Sequence, residues 1–207
     1  MGLINRVLGQ MSNISVYQER FLLILFSTIF RLRGKMNYRN LSRYSELSEK
    51  TYRRQFQKAF DFVEFNRLSI QESVDSSHTL MAVIDCTYSP KSGKKTYGID
   101  DFFSGQAGRS KKGLEVSPLS IVDVDQNTAY SLSAEQTPAV KEANHKEETR
   151  IDFYARQLKK QRQVLPSRVR YLAADGYYAK KKFVDGVVEA DLQFIGKPHS
   201  GPGRWFT

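Results

Sequence analysis

The chain has 207 residues, and its 32 Lys and Arg against 22 Asp and Glu give a formal net charge of +10. That length suits one domain with a real core or a small domain joined to a medium one, and the charge excess favours a polyanionic partner, nucleic acid or an anionic membrane surface. One cysteine, Cys86, excludes an internal disulfide and a cysteine zinc finger, and the N-terminus shows no cleavage-site pattern, so the cytoplasm is the default compartment.

The first apolar run, "FLLILFSTIF" at 21–30, lies between Arg20 and Arg31 and is about half the length a membrane-spanning helix needs. It reads as a buried core helix, and no membrane partner is expected. Residues 1–70 are rich in helix formers and free of proline, which predicts a helical region. Within "NYRNLSRYSELSEKTYRRQFQKAFDFVEF" a short helix around Arg39–Tyr44 precedes the break "SELS", and Ser48 can cap a second helix. At 100° per residue Tyr52, Phe56, Ala59 and Val63 form one stripe of that second helix, while Lys50, Arg53, Arg54, Gln57 and Lys58 spread over the other side. This is helix-turn-helix logic, in which the second helix enters a major groove of double-stranded DNA. A surface helix without a ligand has the same polar face, and Asp61 at its end opposes phosphate contact. The polar, Ser-rich stretch that follows predicts a linker over 71–79.

Beyond it, apolar runs at 80–88, 119–124, 129–134, 169–174 and 192–196 read as strands, the second and third joined as a hairpin across "VDVDQNTAYSL". Asp123 and Asp125 flank its turn, where Asp is common. Thr149 and Asp152 open an amphipathic helix bearing Ile151, Tyr154, Ala155 and Leu158 on one face, and "YYAKKKFVDGVVEA" reads as another helix with Lys180–Lys182 on a solvated face. Three strands, helix, strand, helix, strand implies an α/β fold with a mixed sheet and a helical crossover.

Two aspartates interrupt this pattern. Asp85 stands inside "LMAVIDCTYS", where an unpaired carboxylate is costly, and Asp175 closes the strand run of "RVRYLAADGYYAKKKF". If those runs are neighbours, the carboxylates meet near the strands' carboxyl ends and call for a cation, Mg²⁺ or Mn²⁺, as in phosphodiester sites. The other reading of Asp175 is an Asp-Gly turn at a strand end. Cys86 should point to the opposite face, into the core. "SPKSGKKTYGIDDFFSGQAGRSKKGLE" carries Lys91, Lys94, Lys95, Arg109, Lys111 and Lys112; it reads as a flexible basic loop holding a DNA backbone, with Tyr97, Phe102 or Phe103 stacking on an unpaired base. It reads equally as a solvated hairpin with its aromatics inward. Asp100 and Asp101 fall in that loop as solvated residues. "SGKKT" lacks the first Gly and the final Ser or Thr of a P-loop, and His78, His145 and His199 have no metal-ligand spacing.

The blocks "VIDCTYSPKSGKKTYGIDDFFSGQAGRSKKGLEVSPLSIVDVDQNTAYSLSAEQTP" and "RYLAADGYYAKKKFVDGV" resemble the catalytic region of insertion-sequence DDE transposases, over about residues 80–198. The resemblance implies a ribonuclease-H-like sheet with Asp85 and Asp175 as the first two acids of its motif. It also implies a DNA-binding helical region upstream, and metal-dependent cleavage at transposon ends followed by attack of the freed 3′ hydroxyl on target DNA. The family's third acid, a Glu on a helix after the last strand, has no counterpart here, since Glu189 precedes the last strand run. The expectation is therefore a C-terminally truncated catalytic domain over 80–207, impaired in catalysis. Its partners would be DNA and another copy or a full-length transposase, in the cytoplasm on the nucleoid. Two further readings remain: a DNA-binding fragment that interferes with full-length transposase, and a nuclease that takes its last ligand from a partner chain.

Overall fold

The structure is a computed structural model that describes residues 2–93, 95–139 and 148–197. Lys94, His145 and His199 lie outside the described residues. The chain divides into two compact units, Met1–Ser73 and Val74–Thr207.

The first unit is helical: α1 (Gly2–Gln10), α2 (Val16–Arg31), α3 (Tyr38–Arg43), α4 (Glu49–Gln55) and α5 (Phe62–Ser73). Polar caps begin three of these helices. Ser15, Asn37 and Ser48 each accept a backbone N–H from three residues on, at 3.3, 2.9 and 3.1 Å. The apolar run at 21–30 lies in α2 and supplies Phe21, Leu22 and Leu25 to a core shared with Val7, Leu8, Met11, Leu41, Tyr52 and Leu68. Burial of each such side chain contributes about 1.5–3 kcal/mol. Tyr52 is fully buried, and its hydroxyl donates to Ser45 Oγ at 2.8 Å, so the ring enters the core without stranding its polar end. Among the described residues no helix is long and apolar enough to cross a membrane.

Two expectations are corrected in this unit. The basic helix expected to run from Ser48 past Val63 stops at Gln55, and Phe56, placed on its packing stripe, is 46% exposed. The stop has a local cause: Asp61 accepts Glu64 N–H at 2.9 Å and so opens the separate helix α5. The expected linker 71–79 begins inside ordered structure, since residues 71–73 are the end of α5, where Glu72 is bonded by Arg6 and Gln10.

The second unit is built on β1 (Leu80–Ile84), β2 (Thr87–Pro90), β3 (Asp100–Ser104), β4 (Arg109–Asp123), β5 (Thr128–Gln136), β6 (Tyr171–Ala174) and β7 (Gln193–Gly196). Helices α6 (Arg150–Gln161) and α7 (Lys181–Glu189) complete it. All seven strands form one sheet. The long β4 pairs antiparallel with β1 and β2 and also with β3 and β5, while β6 and β7 add in parallel beyond β1. The chain is thus α/β, with a helical N-terminal region followed by a mixed sheet of parallel and antiparallel strands with flanking helices, as expected from the order of its runs.

The apolar run at 80–88 divides into β1 and β2, but its register does not slip: Ile84 faces Leu119 and Thr87 faces Val116. Asp85 thereby stands opposite Pro118, which has no N–H for either neighbour. Of the two readings of the basic segment, loop or hairpin, the structure shows the hairpin, β3 pairing antiparallel with the start of β4, so Asp100 and Asp101 lie on a strand rather than in a loop. Arg150 reaches Asp100 Oδ2 at 3.5 Å and donates to the Asp101 carbonyl at 2.8 Å.

One face of the sheet is packed. Leu80, Ala82, Ile84, Leu119, Ile121 and Leu172 are buried on it. Helix α6 is fastened to β4 by Tyr154, which donates to Glu115 Oε1 at 2.5 Å, and by Gln157, which donates to the Ser117 carbonyl at 2.8 Å. A reciprocal cap opens α6, with the Thr149 hydroxyl accepting Asp152 N–H and Asp152 accepting Thr149 N–H. Lys182 of α7 forms an ion pair with the same Asp152.

Candidate functional site

Parallel pairing of β1 with β6 places Ala82 beside Leu172 and Val83 beside Ala173. Two residues further along both chains come Asp85 and Asp175, level at the carboxyl ends of adjacent strands, which run about 4.8 Å apart. Each is exposed, and each is held by a backbone N–H of the segment that follows it. Cys86 N–H donates to Asp85 Oδ1 at 2.8 Å, and Tyr177 N–H donates to Asp175 Oδ1 at 2.9 Å. The second bond makes Asp175 the cap of a 3-10 turn over Gly176–Tyr178. Asp175 is therefore both the Asp-Gly turn and the neighbour of Asp85. Among the described residues neither Oδ2 has a hydrogen-bond partner.

Although Asp85 is exposed, its carboxyl is partly withdrawn from water, and this desolvation pushes it above the ordinary carboxylate range; the Cys86 N–H opposes this, and the charges of Asp175 and Glu115 add to it. Two carboxylates whose outward oxygens lack donors form a hard, anionic donor set. It fits a divalent cation such as Mg²⁺, which takes one or two carboxylates and fills its shell with water and phosphate oxygens. Among the described residues no three His, Cys, Asp or Glu side chains form a group that could hold a metal ion. The other acids have separate partners: Asp123 faces His78 Nδ1 at 2.8 Å, Asp125 accepts Thr79 N–H at 2.6 Å, and Glu189 reaches Lys159 at 3.9 Å.

On the sheet unit Arg109, Lys111 and Lys112 line the outer stretch of β4, all exposed and without an ion-pair partner among the described residues. Lys111 and Phe103 edge a cleft that runs to Cys86 and Thr87. Lys95 is also exposed, whereas Lys94 lies outside the described residues. The aromatics divide: Tyr97 and Phe103 are 71% and 61% exposed, but Phe102 is fully buried beneath the Arg150 guanidinium, 4.4 Å from its ring centre. Phe102 is thus no stacking platform for a base, because it already has a cation on its face.

The helical unit holds 12 Lys and Arg against 6 Asp and Glu in residues 1–73. Lys50, Arg53 and Arg54 sit exposed on α4, while Gln57 and Lys58 lie past its end, also exposed. Arg53 is engaged, bonding Glu49 at 2.8 Å and lying 5.2 Å from the Tyr38 ring centre. A second basic group escaped the sequence reading: Arg31, Arg33, Lys35, Arg39 and Arg43 are all exposed, and Arg31 and Arg43 line one cleft with Ser27 and Ser45. Its sequence signal is "RLRGK" at 31–35, which lies outside the amphipathic stripe.

No protein-family model matches the chain, and no curated protein matches it in sequence. Solved structures similar to it include the piggyBac transposase in a synaptic complex with hairpin DNA, at 14% identity and a TM-score of 0.45, covering 96% of this chain and 40% of that one. Another is the Mos1 transposase in a paired-end complex with its left transposon end, at 12% identity and a TM-score of 0.30, covering 82% of this chain and 56% of that one. The chain thus spans less than two thirds of either structure, and no residue role is carried over from them.

Proposed function

We propose that this chain acts in DNA transposition: it binds double-stranded DNA, and Asp85 and Asp175 hold a divalent cation, Mg²⁺ or Mn²⁺, at a phosphodiester to be cleaved and transferred. The observation that carries the reading is the acid pair itself, two carboxylates level on adjacent parallel strands, each anchored by one backbone N–H with its other oxygen open. Such an arrangement of like charge is useful where a cation and a phosphate are to be bound. Bound there, the cation would polarise the scissile phosphate and lower the pKa of an attacking hydroxyl. Asp85 and Asp175 would orient it, and their N–H anchors would keep each Oδ2 turned outward.

DNA would be held by Lys95, Arg109, Lys111 and Lys112 on the sheet unit and by Lys50, Arg53, Arg54, Gln57 and Lys58 on the helical unit, with Lys94 proposed from sequence alone. Arg31, Arg33, Lys35, Arg39 and Arg43 extend the second group. These side chains recognise phosphate, and nothing in their placement requires base readout.

A second reading, a DNA-binding module without chemistry, is favoured by the lack of a three-ligand group among the described residues. Gel shift and cleavage of labelled duplex DNA in Mg²⁺, Mn²⁺ or Ca²⁺ separate the two. The first reading expects nicking or strand transfer in Mg²⁺ or Mn²⁺ that falls at least 100-fold in Asp85→Asn and in Asp175→Asn, with binding in Ca²⁺ retained, an effect on the order of that of removing one electrostatic stabiliser. Binding with no metal-dependent cleavage supports the module.

A further inference from the structure

Asp85 and Asp175 extend past the last paired residues of β1 and β6, Val83 and Ala173, so the ladder between those strands does not itself fix their separation. A different contact spans the gap. The segments that anchor the two carboxylates, Cys86 after Asp85 and Gly176–Tyr178 after Asp175, meet through their side chains: Cys86 Sγ lies 2.9 Å from Tyr178 Oη. Alternation along the strand sends Cys86 to the helix-covered face, away from the carboxylates. Tyr178 is 1% exposed and confined by Tyr154 and Phe183, each with its ring centre 5.1 Å away. Tyr154 in turn is pinned by its bond to Glu115. Tyr178 has no room to shift alone, and a slip of either member moves the backbone N–H that anchors an acid.

We propose that Cys86 and Tyr178 are positioning residues for the acid pair, joined beneath the sheet so that their contact sets the spacing of Asp85 and Asp175 and with it the affinity for a divalent cation. The inference rests on the acid pair being a cation site, as argued above. Partners behind a metal ligand typically change affinity 10- to 100-fold when removed.

The test is Mn²⁺ binding by the whole chain, read from the electron paramagnetic resonance signal of unbound Mn²⁺. Cys86→Ala and Tyr178→Phe are each expected to weaken binding about tenfold, and the double variant no further than the weaker single, because both delete one contact. Cys86→Ser, whose hydroxyl can replace the thiol, is expected to restore most of the affinity. Tyr178→Phe keeps the ring and its packing, so it reports on the contact even if a substitution at Cys86 disturbs folding. Unchanged affinity in Cys86→Ala and Tyr178→Phe, alongside loss in Asp85→Asn, overturns the positioning role and leaves the acid pair standing. Losses that multiply in the double variant overturn it too. No Asp85-dependent Mn²⁺ binding in the unsubstituted chain overturns the cation site and this inference together.

Discussion

At the residue scale, Asp85 works against the fold that carries it. Its carboxyl is raised by burial and by the neighbouring charges of Asp175 and Glu115, so the charged form destabilises the folded state. A carboxyl raised on folding contributes stability only below its unfolded pKa of about 4, and that contribution is lost as pH rises through the folded value. Asp85→Asn is therefore expected to raise the urea midpoint at pH 7 without metal, with the gain shrinking toward pH 4. His78 has the same pH sense at a higher pH, although there it is the charged form that the fold favours. Its hydrogen bond to Asp123 raises the imidazole above its ordinary value, and Asp123, pushed up by its own burial, is carried below the carboxylate range by the His78 and Gln126 bonds. The histidine's share of stability is complete below about pH 6.5 and fades as pH rises through its folded value; the aspartate's is complete above about pH 4 and fades as pH falls. In His78→Gln the stability deficit should be larger at pH 6 than at pH 8.5. Both candidate acids were visible in the sequence because Asp85 interrupts an apolar run and Asp175 closes one. The Cys86–Tyr178 contact was not, since its members lie 92 residues apart and no local pattern links them.

At the scale of elements, what could be read depended on whether the signal was local. The cap at Ser48, the reciprocal cap at Thr149 and the β4–β5 hairpin are local chemistry, and all three form. The overlong basic helix failed on a competing local signal, Asp61 opening α5, which the apolar stripe outweighed in the reading. β2 was not separated from β1, because its ordering comes from β4, a distant partner, and its own residues are mostly polar, whereas β3 was legible only as one of two readings of its segment. Gly113 shows how tightly they are drawn in: it pairs with Pro90 on one side and Asp100 on the other. A Cβ there would come within 2.5 Å of the Tyr88 ring and 2.6 Å of the Ser89 carbonyl. Gly113→Ala should cost about 1–3 kcal/mol, as forced overpacking does, measured as a lower denaturant midpoint.

For the whole molecule, charge is the property that length and composition reported correctly and the structure distributes. The helical unit carries 12 cations against 6 anions, while residues 74–207 carry 20 against 16. Both units present exposed cations, so affinity for duplex DNA should fall steeply with salt, each phosphate contact adding about 0.9 to the slope of log K against log salt. Replacing Lys111 and Lys112 together by Ala is expected to reduce that slope by about 2 without changing preference among sequences, as measured by fluorescence anisotropy across a salt series. The strand order itself was readable only as a class. Alternating runs of strand and helix announce a mixed sheet, but they do not say that one strand would pair with four others.

That single strand, β4, joins two parts of the proposed function. Its first residues bear Arg109, Lys111 and Lys112, and its middle residues lie opposite Asp85 and Cys86. Between the cationic end and the stretch facing the acid the strand is bordered by a partner on each side, Pro90 and Asp100 at Gly113, so under the proposed function the residues that hold DNA and those that face the acid pair belong to one continuous ladder.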